Sequence, residues 1–99
     1  MKINKITEAN TLTIQLDGKL DTTTAPQLGK ELETSLSGVT KLIFDFANLA
    51  YISSAGLRVL MTTYKTMSKQ GSMIIRNVNE DVMEIFQLTG FAAKLTIEK

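Results

Sequence analysis

Three times along this sequence a short run with strand patterning gives way to a longer one with apolar residues at helical spacing, and that alternation is the strongest constraint on the fold. The first strand pattern is Leu12, Ile14 and Leu16, alternating with Thr11, Thr13, Gln15 and Asp17, as on a strand with one wet face. Ile3 to Ile6 supplies an antiparallel partner across Glu8-Ala9-Asn10, and Asp17-Gly18 closes the hairpin. Thr24 with Gln27 three residues later reads as a capping box, followed by Ala25, Leu28, Leu32 and Leu36. The spacing predicts a first helix over Ala25–Ser37, stopped by Gly38.

Leu42, Ile43 and Phe44, followed by Asp45 and Phe46, suit a central strand covered on both faces. A loop over Ala47–Ile52 then leads to a second helix, whose apolar stripe of Leu57, Leu60, Met61, Tyr64 and Met67 ends at Gly71. Met73 to Ile75 makes another strand. Asn79 caps a third helix with Glu80 and Asp81 in its first turn and Val82, Ile85, Phe86 and Thr89 buried, ending at Gly90. Met83 lies off that buried face and is a candidate partner contact, and Lys94 to Ile97 closes the chain as a last strand. The expectation is one α/β domain over residues 1–99: a small mixed sheet, hairpin first and parallel strands after, with helices packed on it.

Composition narrows the chemistry. There is no cysteine, histidine or tryptophan, so disulfides, thiolate nucleophiles, imidazole bases and His- or Cys-ligated metals are all closed. Eleven Lys and Arg against ten Asp and Glu leave a net charge of +1, too weak a field to advertise nucleic acid. The longest apolar run, Leu49 to Ile52, is four residues, against the ~20 that cross a bilayer or the ~7–15 of a signal-peptide core. A cytoplasmic domain with no membrane and no cofactor is the expectation.

In sheets with parallel crossovers, functional groups gather beyond the carboxyl ends of the strands. There the chain reads Ser53-Ser54-Ala55-Gly56-Leu57-Arg58, four small residues at a helix start that lacks a reciprocal capping acid. Three readings of the serines compete. One is simple capping, worth about 1 kcal/mol. A nucleophile elbow would need glycine where Ile52 stands, and no histidine exists to take the proton. The third is a hydroxyl that accepts a phosphoryl group from another enzyme.

Asp45-Phe46-Ala47-Asn48-Leu49-Ala50-Tyr51-Ile52-Ser53-Ser54-Ala55-Gly56-Leu57-Arg58, with Gly18-Lys19-Leu20-Asp21-Thr22-Thr23-Thr24-Ala25-Pro26 before it and Gly90-Phe91 after it, resembles the STAS family and its stand-alone bacterial anti-sigma factor antagonists. The resemblance implies a small mixed sheet with helices and no enzymatic activity. It implies partner switching: the unmodified protein binds an anti-sigma factor that is also a serine kinase, phosphorylation releases it, and a metal-dependent serine phosphatase resets it.

The phosphorylated serine of the family lies two residues before the motif glycine, which carries over to Ser54, with Ser53 as second choice where relatives commonly have Asp. Asp21, Asp45, Ser53, Gly56, Leu57 and Arg58 are the expected partner-binding and site-shaping residues. The alternative reading is a STAS subunit docked on a transporter complex.

Overall fold

A computed structural model describes residues 1–98 of the chain. Strands β1 (Lys2–Glu8) and β2 (Thr11–Leu20) form the opening hairpin, and helix α1 (Ala25–Ser35) leads to β3 (Lys41–Ile52). Helix α2 (Ser54–Gln70), β4 (Ser72–Arg76), α3 (Glu80–Leu88), a 3₁₀ turn at Phe91–Ala93 and a short β5 (Thr96–Ile97) complete the order. The five strands lie in sequence order in one sheet, β1 antiparallel to β2 and the rest parallel. This is the mixed sheet that the alternating pattern predicts.

One core holds it together. Leu12, Ile14 and Leu16 of β2, Leu42, Phe44 and Phe46 of β3, and Met73 and Ile75 of β4 form the inner face. Onto it pack Leu28 and Leu32 from α1, Leu57, Leu60 and Met67 from α2, and Val82 and Phe86 from α3. The rings of Phe46 and Phe86 stack at 6.5 Å, a contact worth about 1 kcal/mol beyond the area it buries.

All three helices therefore cover a single face, which corrects the expectation of a central strand sandwiched on both sides. Ile43 is buried, yet it stands outside that core. It belongs to a row running straight across the open face, Ile6, Thr13, Ile43, Ile74 and Thr96, and its neighbours in the row shield it. The next row is polar: Asn4, Gln15, Asp45 and Arg76.

Several boundaries differ from the sequence reading, each for a physical reason. β3 does not end at Phe46 but continues to Ile52, and the segment read as a loop is strand. Two register shifts against β2 each add one residue to β3, so the inward positions run Phe46, Leu49, Ile52 and the period of two disappears. β2 likewise continues through Asp17-Gly18 to Leu20. α1 ends at Ser35, not Ser37, and α3 ends at Leu88 with Thr89 exposed beyond it. In α2 Thr63 is buried beside Leu57, Leu60 and Met67, its hydroxyl donating to the Val59 carbonyl at 2.8 Å, whereas Met61 and Tyr64 are only half-buried. Met83 of α3 is half-buried against the core instead of standing free. The last strand shrinks to Thr96–Ile97 because the Lys94 and Leu95 N–H groups both donate back to the Phe91 carbonyl at 3.0 Å.

Candidate functional site

The end of β2 and the end of β3 are pinned side by side. Lys19 pairs with Tyr51 and Leu20 with Ile52, and the Ser53 N–H donates to the Leu20 carbonyl at 2.8 Å. One residue later α2 begins. Ser53 is its N-cap, extended at φ −98° and ψ 175°, and its Oγ accepts from the Gly56 N–H at 3.4 Å. That distance is at the long limit for a hydrogen bond, so the cap is weak. No acidic residue occupies the first turn, and the positive end of the helix stays uncompensated by side chains.

The two serines now differ in kind. Ser53 is half-buried and spends its hydroxyl oxygen on the helix, whereas Ser54 is exposed and its hydroxyl makes no hydrogen bond among the described residues. Gly56 lets the turn come close: a Cβ there would stand 2.7 Å from Leu20 Cγ and 2.9 Å from Ile52 Cγ1. Leu57 is buried and anchors the helix start in the core. Arg58 is exposed one turn beyond Ser54, and residues four apart share a helix face.

Asp21 sits just past the last β2 pair, beside this turn. Its Oδ1 accepts from the Thr23 hydroxyl at 2.7 Å, the Thr23 N–H at 3.0 Å and the Thr24 N–H at 3.1 Å. The Thr23 hydroxyl first, then the Thr24 N–H, holds its carboxyl below the usual 3.8. The capping box read from Thr24 and Gln27 is not formed. Thr24 has helical dihedrals, and its hydroxyl instead accepts from the Asp21 N–H at 2.8 Å and donates to the Lys19 carbonyl at 2.8 Å. Asp21 therefore builds the turn that follows Leu20, the residue bonded to Ser53.

Asp45 is not brought to this cluster. It lies on the open face of the sheet, five β2 residues back along the pairing from Leu20, or ~17 Å at ~3.3 Å per residue. Burial works against its charge, but the Asn77 amide at 2.9 Å, the Ala47 N–H at 3.0 Å, Gln15 and nearby Arg76 outweigh it and hold the carboxyl below 3.8. Its visible work is to fasten β3 to the turn after β4. Tyr51 is the neighbour that sequence reasoning missed: it pairs with Lys19, two residues before Ser53, and is 45% exposed. An exposed aromatic next to a strand end was the available signal, hidden because Ala47–Ile52 lacked strand period.

Among the described residues, no group of three metal-ligating side chains occurs and no helix is long and apolar enough to cross a membrane. What remains is one corner of the fold: a serine, an arginine, a tight glycine turn and an aspartate-built loop at one end of a small mixed sheet.

Fold and site together define a small α/β domain with one mixed sheet and its helices on a single face. The STAS domain family model matches residues 2–99, and the chain belongs to that family. It is similar to the anti-sigma-B factor antagonist of Bacillus subtilis, 31% identical over 82 residues that cover 82% of this chain and 75% of the relative. It is also similar to BtrV of Bordetella bronchiseptica, 35% identical over 78 residues, 77% of this chain and 67% of BtrV. In fold it resembles the Bacillus anti-sigma factor antagonist SpoIIAA. The unphosphorylated form superposes with a TM-score of 0.77 at 20% identity, covering 99% of this chain and 88% of SpoIIAA. The phosphorylated form gives 0.75 at 20% identity, covering 99% and 92%.

Proposed function

We propose that this protein is an anti-sigma factor antagonist that works by partner switching. In its unmodified form it binds an anti-sigma factor that is also a serine kinase, through the start of α2, Arg58 and the Asp21 turn. The kinase transfers a phosphoryl group to Ser54 and lets go. A metal-dependent serine phosphatase removes the phosphate and restores binding. The protein itself supplies no catalytic group; the base, the nucleotide and the metal belong to its partners.

The observation that carries this reading is the contrast between the serines: Ser54 is exposed with a free hydroxyl at a helix start that has no acidic residue in its first turn, while Ser53 is half-buried as the N-cap. A phosphate adds about −1.5 to −2 charges at neutral pH. Within the protein that charge meets the positive end of α2, a contact worth about 0.3–1 kcal/mol, and Arg58 one turn on. The fold therefore survives modification. Against a partner pressed onto the same surface the phosphate must be desolvated, and a loss there of about 3–4 kcal/mol weakens binding several-hundred-fold.

The test is to incubate the protein with the anti-sigma kinase of its own organism and ATP, then weigh it intact. One added phosphate is expected on wild type and on Ser53→Ala, and none on Ser54→Ala. Phosphate on Ser54→Ala but not on Ser53→Ala moves the acceptor to Ser53, and a complex that forms without any phosphate points to a permanently docked subunit.

A further inference from the structure

The helical layer contains an open groove that meets the switching surface at Arg58 and otherwise runs away from it. It lies between α1 and α2, has a volume of about 430 Å³, and is lined predominantly by apolar surface from Leu32, Leu36, Val59 and the threonines of α2. That size falls within the ~300–1,000 Å³ of small-molecule sites. Thr63 and Thr66 spend their hydroxyl hydrogens on the Val59 and Thr62 carbonyls, so they offer no free donor to a guest.

Gly29 supplies an independent sign that the groove is kept open. Glycine inside a helix weakens it relative to alanine, so a helical glycine calls for a reason. Gly56 has one, since a Cβ there would overlap Leu20 and Ile52, but a Cβ on Gly29 would meet nothing within 4 Å. Its backbone is ordinary helix. Neither packing nor conformation explains it, and it lines the groove.

Charge narrows what kind of guest fits. Arg58 lines the same groove near its start and has no carboxylate within reach, Lys5–Glu31 being the ion pair found among the described residues. Glu33 stands further along on the α1 side and is exposed. One end thus attracts an anion and the wall beyond it repels a second. From Gly29 to Leu36 the groove follows about two helical turns, ~10 Å, the span of a medium-length alkyl chain. Helices packed at ~8–10 Å leave a cleft narrower than a third helix of ~10–12 Å, so a polypeptide helix would ride over it instead of entering.

We propose that the α1–α2 groove binds a free medium-chain carboxylic acid, with the alkyl chain along Gly29, Leu32, Leu36 and Val59 and the carboxylate on Arg58. Binding does not depend on Ser54 being the phosphoacceptor. If Ser54 carries a phosphate, Arg58 is shared between the two anions, and each weakens the other by the same factor.

The test is an NMR titration of the unmodified, ¹⁵N-labelled protein with decanoate below its micelle concentration, with decanol as the uncharged control. Saturable amide shifts centred on Gly29, Leu32, Val59 and Thr63 are expected. Gly29→Leu, which places a side chain on a groove-lining position where a Cβ meets nothing within 4 Å, should stay folded by thermal melt and lose binding at least tenfold. Arg58→Gln should weaken decanoate about tenfold and leave decanol unchanged. Shifts that fail to saturate, shifts centred on the open face of the sheet, or equal binding by folded Gly29→Leu would overturn the proposal. Because no kinase enters the titration, a failure of the Ser54 reading leaves this result untouched.

Discussion

Replacing Gly56 with alanine tests whether the site is built by close approach. The new Cβ would stand 2.7 Å from Leu20 Cγ and 2.9 Å from Ile52 Cγ1, and both of those side chains are essentially fully buried. Neither atom is the free end of a flexible chain, and a core packed to crystal-like density has little slack. Overpacking of this kind costs about 1–3 kcal/mol. Against it works the gain from removing a glycine from a helix and from the unfolded chain, at most about 1 kcal/mol. The clash wins by about 1–2 kcal/mol, which for a domain of this size lowers Tm by about 5–15 °C. The start of α2 should also lift from β2, lengthening the Ser53 N–H to Leu20 carbonyl bond now at 2.8 Å. Thermal melts followed by circular dichroism, with hydrogen exchange at Ser53, read both effects. An alanine variant that melts at or above wild type would refute the reasoning, because helix propensity would then outweigh a contact that does not exist.

Three further outcomes follow from the same geometry. Gln70 donates to the Leu36 carbonyl at 2.7 Å and the Val39 carbonyl at 2.6 Å, tying the end of α2 to the end of α1; Gln70→Leu should cost about 1–3 kcal/mol in urea unfolding, and a neutral result would mean that water replaces the amide. Asp45 is held below 3.8 when folded, so the stability it confers is complete above that value and lost as pH falls through the folded-state pKa. Asp45→Asn should therefore be less stable than wild type at pH 7 and lose less of its stability between pH 4 and pH 2, as acid titrations of the unfolding midpoint will read. Ser54→Asp should leave amide shifts in β1, β4 and β5 unchanged and alter them around Asp21, Ser53 and Arg58; wide changes through β4 would replace a local charge switch with a refolding one.

How much of this was legible in the sequence depends on how far side-chain period survives folding. In β2 the alternation of Leu12, Ile14 and Leu16 is unbroken, and the hairpin and its register follow from it. In β3 two inserted residues move the inward positions from Phe44 and Phe46 to Leu49 and Ile52. A strand with a bulge looks like a loop when only spacing is read. The start of α2 was visible through Ser53 and Gly56, and the spacing to Gly56 pointed to Ser54, but the difference in exposure between the two serines was not legible locally. That distinction comes from the tertiary bond between the Ser53 N–H and Leu20, which turns one serine inward and leaves the other out. Thr24 misled for the opposite reason: its hydroxyl has a capping pattern but is taken by the Lys19 carbonyl and the Asp21 N–H. Asp45 carried a motif position, and only the register showed that it lies on the other face of the sheet, away from the serines.

The central claim is that one phosphate on Ser54 controls binding through local charge. Isothermal titration of the anti-sigma kinase with the unmodified protein and with its Ser54-phosphorylated form tests it most directly, in nucleotide conditions that block transfer. The account predicts binding weakened several-hundred-fold by the phosphate, about 3–4 kcal/mol. Equal affinity for the two forms would contradict it.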